Sequence, residues 1–380
     1  MSMVLNTRRA VATERHQMHD RRAPFASRPR TRILLVVLVV SLVVLGGTSM
    51  AVGSVGVTLP EVIGVILAHL RGGPSATGAV DQIVWDVRAP RTILATVAGG
   101  GLAIAGAVIQ AIVRNPLGDP SLIGVTPGAS LGAVAVIVMG GGALGGLPLT
   151  MAAFIGALVT FGVVFLLGRS SGRIPPTRLI LAGVAIGYLV SSMTYFLQTI
   201  ATPNQVQRVL FWSLGSVGGA DWGVLPIPVV IVVLGTAWLL VNAVALNAVV
   251  GGDDLAASLG IDVPRLQMTL LVVVAAMTGS LVAVAGGIAF VGLVVPHIAR
   301  LLVGADHRRM LPVTAVLGAI FLLLADLAAR TVRAPAELPI GVITAAVGAP
   351  FFLWLLTSGR TTRAVRAPLT GAPALRKALR

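Results

Sequence analysis

"RAPRTILATVAGGGLAIAGAVIQAIVRNPLGDP" occupies residues 88–120. From Thr92 to Val113 it carries no ionisable side chain, enough chain to cross the ~30 Å hydrocarbon core of a bilayer as one helix. Its charges stand at the two ends, Arg88 and Arg91 before the apolar run and Arg114 after it. The glycines at 99–101 and 106 would let neighbouring helix backbones approach closely, which is how helices hold together where lipid offers no hydrophobic drive. A second stretch, "GVITAAVGAP" at 341–350, has the same small-residue character.

The rest of the chain fits that reading. Its 380 residues are 56% hydrophobic and only 11% charged, against about 25% charged in a soluble domain. The apolar runs are continuous and do not alternate with period two, so the fold class is an all-α integral membrane protein and not a barrel. Windows nearly free of charge give ten candidate spans: 33–52, 92–113, 119–139, 148–168, 179–200, 225–246, 267–286, 288–303, 309–327 and 338–357. Gly140–Gly146 with Pro148 divides one long uncharged run, and Gly286–Gly287 divides another, leaving 288–303 short. The organisation is a basic tail at 1–32, a ten-span membrane domain at 33–358 and a basic tail at 359–380.

Ten spans put both termini on one side, where the tails and alternate loops gather 22 of the 28 basic residues against six opposite. The positive-inside rule makes that side the cytosol. The +15 net charge therefore reads as tails near anionic lipid, with no nucleic-acid partner. Residues 33–45 followed by Ser49-Met50-Ala51 could pass for a secretory signal, but removing them would spoil the parity, so an uncleaved first span is expected.

Several functions are excluded or weakened. There is no cysteine, and the one lysine, Lys377, follows no Gly-rich loop, so the chain carries no Walker A motif and cannot be its own P-loop ATPase. No catalytic constellation, metal cluster or cofactor motif stands at a membrane face, so an enzyme is not expected. Apart from Asp119, Arg300 and Arg309 at or near the ends of their windows and the two tyrosines, only His297 and Asp326 within the spans can ionise. His297 follows Pro296 and reads as structural, and Asp326 is spaced to pair with Arg330 on one helix face. An ion-coupled secondary transporter, the main alternative class, is thus weakly supported, and a purely structural scaffold less so.

Between the sixth and seventh spans lies "GGDDLAASLGIDVPRLQ", residues 251–267. Asp253 and Asp254 fall in a first helical turn, where carboxylates oppose the helix dipole, and Gly260 is placed to end the helix. Ala256 and Leu259 fall three apart, suited to one face. A short helix protruding into the cytosol results, fit to dock on another protein or simply to cap a loop.

At this segment the chain resembles a known family. G-D-D-x-A-x-x-L-G at 252–260, the 87–133 block with R-x-P-R, Gln110 and R-N-P-L-x-x-P, and the blocks at 286–312 and 325–356 are together similar to permease subunits of iron–siderophore, haem and cobalamin ABC importers, over roughly residues 33–358. The resemblance implies a type II importer fold of ten helices per subunit and two subunits, the second a copy or a homologous permease. ATPase subunits would dock below, and a periplasmic or lipid-anchored substrate-binding protein above. It implies that Gly252, Asp253, Asp254, Ala256, Leu259 and Gly260 form the ATPase-coupling helix, and that Arg88, Arg91 and Arg330 face acidic residues of the binding protein. Asp253 and Asp254 stand where glutamates are common in the family. The expected cargo is a ferric siderophore, with haem or cobalamin as alternatives, in the bacterial cytoplasmic membrane.

Overall fold

The computed structural model describes residues 27–53, 55–72, 78–140, 146–170 and 174–357. The basic tails before residue 27 and after 357, Arg173 and residues 141–145 of the dividing run lie outside the described residues. Helices carry the architecture. They are α1 (Arg28–Ala51), α2 (Leu59–Leu70), α3 (Ala79–Ile112, with π-type turns at Gln82–Arg88), α4 (Val125–Met139), α5 (Leu149–Gly168), α6 (Pro176–Thr199) and α7 (Pro203–Ser213). There follow α8 (Pro226–Val241), α9 (Ala243–Gly251), α10 (Asp253–Ser258), α11 (Val263–Ala285), α12 (Val291–Val303), α13 (His307–Thr331) and α14 (Ile340–Thr357).

Each of the ten apolar segments coincides with a helix or, for the sixth, with the pair α8–α9, which bends by 63° at Asn242. Among the described residues, six helices are long and apolar enough to cross a membrane, seven when the bent pair is one span. The shorter apolar helices α4, α12 and α14 fall below that length, so length alone carries six or seven crossings and not ten. The shortfall has local causes. A 3-10 turn at Pro120–Ile123 takes the start of the third segment. The eighth begins non-helically at residues 286–290, where Phe290 takes a left-handed φ of 68°, leaving 13 helical residues, about 20 Å.

α3 is the central element, and nearly all of its residues from Ala89 to Ile112 are buried. Its glycines do what lipid-embedded packing requires. A methyl group on Gly99 would run into the carbonyl of Gly318 on α13, and one on Gly106 into that of Gly292 on α12. α1 is the opposite case. Its Val36, Val40, Val43 and Val44 are exposed, the surface expected of a helix facing hydrocarbon.

The bundle has two polar ends. One carries Arg88, Arg91 and Arg330, with the last turn of α1 against them. The other carries Arg114, α10 and the Gly304–Asp306 turn. α1 runs toward the arginine end and α14 runs away from it, so residues 28 and 357 both lie at the α10 end. An even number of crossings requires this.

Candidate functional site

The arginine end is built on the carbonyls that a helix leaves unpaired at its C-terminus. Arg88 Nη1 donates to the Met50 and Ala51 carbonyls, at 2.7 and 2.8 Å, and its Nη2 to the Val55 carbonyl. Arg330 donates to the Ser49 carbonyl and, at 2.7 Å, to the Ser49 hydroxyl. The stretch that mimics a cleavage site is therefore built into the cluster. Arg91 donates to Asp326 Oδ1 at 2.9 Å from Nε and to Glu337 Oε1 at 2.8 Å from Nη1. Asp326 also stands 3.2 Å from Arg330 Nε, the expected i,i+4 pair, as an ion pair and not an aligned hydrogen bond.

The structure brings Arg88, Arg91 and Arg330 together, buries them at 5, 7 and 9% exposure and gives them hydrogen-bond partners inside the subunit. Three guanidinium groups face two carboxylates, Asp326 and Glu337. One positive charge is left over, beside a cleft of about 180 Å³ lined by Gly53, Val87, the three arginines and Glu337. Sequence reasoning missed Glu337 as the second partner of Arg91. The two stand 246 residues apart, and no periodicity links them.

At the other end α10 spans Asp253–Ser258, between Gly252 at φ 125° and Gly260 at φ 79°. Asp253 and Asp254 occupy its first turn as expected. Ala256 does not face outward. It is fully buried against Ala248, Val249 and Val263, which seats the short helix on the subunit. Leu259 lies past the helical residues, so the two do not share a helix face. The apolar tip consists of Leu255 and Leu259, 51% and 65% exposed.

Polar contacts tie this end to the bundle. Gln110 donates to the Gly292 carbonyl at 3.2 Å and accepts from Arg300 at 3.0 Å. Asn247 donates to Asp306 at 2.8 Å, and its carbonyl oxygen accepts from the His307 backbone amide at 2.9 Å and from His307 Nδ1 at 2.7 Å. Asn247 and His307 are sixty positions apart and carry no sequence signal of this contact. His297 packs edge-on against Phe351, a structural role.

A third feature was not foreseen. α4, α6 and α7 line an open cleft of about 520 Å³ whose polar lining includes Thr126, Ser130, Ser191, Thr194, Tyr195 and Gln198. Among the described residues, no ionisable group other than the Tyr195 phenol lines it.

A model of the FecCD transport family matches residues 35–358. The chain belongs to that family. It is 40% identical over 301 residues to the cobalamin import system permease BtuC of Halobacterium salinarum, covering 79% of this chain and 80% of that protein. It is 41% identical over 281 residues to the vitamin B12 import permease BtuC of Salmonella typhimurium, covering 73% and 84%. Among solved structures it resembles an inward-facing conformation of a putative metal-chelate type ABC transporter. There the TM-score is 0.75 and the identity 32%, with 86% of this chain and 99% of that one covered. The chain is a multi-pass membrane permease of the ABC importer type.

The arginine cluster predicts an asymmetric response to charge removal. Asp326 is 1% exposed, so Asp326→Leu should cost about 3–5 kcal/mol. Glu337, 47% exposed, should cost about 1 kcal/mol or less as Glu337→Gln. Thermal unfolding of the detergent-solubilised subunit checks this, and equal shifts would contradict it.

Proposed function

We propose that this FecCD-family permease is the membrane conduit of a binding-protein-dependent importer for a bulky metal chelate, and that its work is supplied by separate ATPase subunits. The end bearing α10 faces the cytosol and the arginine end faces the binding protein. A second permease, either a copy or a homologue, completes the pathway. The observation that carries this reading is the exposed Leu255–Leu259 tip on a small helix seated in its own subunit through Ala256. Two bare leucines outside the bilayer suit an apolar groove on a partner. The basic side chains of the described loops at the same end fit the cytosolic side.

Of the cargo classes, cobalamin is favoured, because the relatives described above are named cobalamin and vitamin B12 permeases. A ferric siderophore is the second reading, favoured by the solved transporter of metal-chelate type. The hydroxyl- and amide-lined cleft suits either as a segment of the passage. Neutral hydrogen-bonding groups can contact a large polar chelate without trapping it by charge.

The test is uptake into proteoliposomes holding the permease, its ATPase subunits and its binding protein. ATP-dependent accumulation of radiolabelled cyanocobalamin is expected. Preference for a ferric siderophore would reassign the cargo, and uphill uptake without an ATPase would overturn the reading. Leu259→Asp should abolish uptake while leaving the subunit folded, because that side chain is exposed; unimpaired uptake would count against docking there. Val87→Asp places a negative charge at the mouth of the arginine cleft, where Val87 is 52% exposed. It should weaken binding-protein association about tenfold or more, and most at low salt. Unchanged affinity would remove the cleft from the docking face.

A further inference from the structure

The turn after α3 places an arginine where a helix ordinarily ends on glycine. The Asn115 amide donates to the Gln110 carbonyl at 3.1 Å and the Arg114 amide to the Ala111 carbonyl at 3.3 Å. These are the paired 6→1 and 5→2 bonds of a Schellman motif, with Arg114 in its left-handed position at φ 50°. A non-glycine residue there costs about 1–2 kcal/mol. The turn beyond it is firm: the Leu117 amide donates to the Asn115 side chain at 2.9 Å and the Gly118 amide to the Asn115 carbonyl at 3.0 Å. Arg114 is thus held at a fixed angle by backbone that would form more easily with glycine.

What offsets the cost is the reach of its side chain. Arg114 Nε donates to the Val249 carbonyl, in the last turn of α9, at 3.1 Å. Its Nη2 forms an ion pair with Asp253, the first residue of α10. One guanidinium therefore grips both sides of Gly252, the joint between α9 and α10, whose φ of 125° lets the chain turn. Guanidinium suits the task, since its rigid fork can serve a carbonyl and a carboxylate at once.

We propose that Arg114 is the positioning residue that fastens the α9–α10 joint to α3. Displacement of the Leu255–Leu259 tip is thereby delivered to the helix whose far end carries Arg88 and Arg91. Without the clasp, α10 is joined to the bundle through Ala256 and its chain connections, and it can yield at Gly252 without moving α3. This inference rests on the proposed docking of an ATPase at α10.

The decisive variant is Arg114→Gly, which keeps or improves the turn while removing the clasp. In the reconstituted complex, with cyanocobalamin or the ferric siderophore, whichever the wild type accumulates, cargo moved per ATP hydrolysed should fall about fivefold or more. The thermal stability of the isolated subunit should not fall. The charge exchange Arg114→Asp with Asp253→Arg should recover part of the lost ratio, whereas Asp253→Arg alone should not. An unchanged ratio in Arg114→Gly, or a loss matched by a fall in subunit stability, would overturn the proposal. A cysteine cross-link from Leu255→Cys to the ATPase separates the two ideas. If it forms and the ratio is unchanged, only the clasp fails. If it does not form in the otherwise wild-type complex, the docking reading fails and the clasp with it.

Discussion

Contact of backbone on backbone along α3 is the constraint on which the other features depend. In lipid, two apolar helices gain nothing by hiding from their surroundings, so they must gain by fitting closely. Gly99 against Gly318 and Gly106 against Gly292 provide that fit on two neighbours at different heights. A helix held at two heights by partners that leave no room for a methyl group cannot tilt or slide on its own. It moves with α12 and α13 or not at all. That stiffness gives meaning to what is attached at its ends, a cluster of three arginines at one and the Arg114 clasp at the other.

The placement of charge follows the same economy. Among the described residues, the ion pairs lie at the two ends of the bundle, where water or an unpaired carbonyl can be reached. At the arginine end the donors serve first to finish α1, whose last carbonyls would otherwise be stranded near the membrane edge. A docking role there is compatible with this structural one because three cations face two anions. Between the ends, the cleft of α4, α6 and α7 holds hydroxyls and an amide, which interact with passing solute without holding it by charge.

Much of this was legible in the sequence. The apolar windows found the long apolar helices though not the short α2, the glycine runs marked the close approaches, and four-residue spacing paired Asp326 with Arg330. What was not legible has a shared cause. Hydropathy cannot separate lipid-facing from core-facing residues when both surroundings are apolar: Leu179 is fully buried and Leu181 is 64% exposed, yet they read alike. The same blindness misplaced Ala256, which resembles a docking residue in composition and is in fact the foot of the helix. The bend at Asn242 carries no proline or glycine to mark it, unlike the break at Gly286–Gly287, where a Cβ on Gly286 would meet the Trp212 carbonyl. The long-range polar contacts, Arg91 to Glu337 and Arg114 to Asp253, join positions more than a hundred apart. Local spacing cannot pair them.

The central claim is that α3 acts as a rigid link between the two faces. Spin labels at positions 255 and 87, each paired with a reference label on the lipid-facing surface of α1, would measure how far each end moves when nucleotide binds to the reconstituted complex. The account predicts that both distances change together, and that both stay fixed without nucleotide. Movement of the label at 255 while the label at 87 remains still would contradict it.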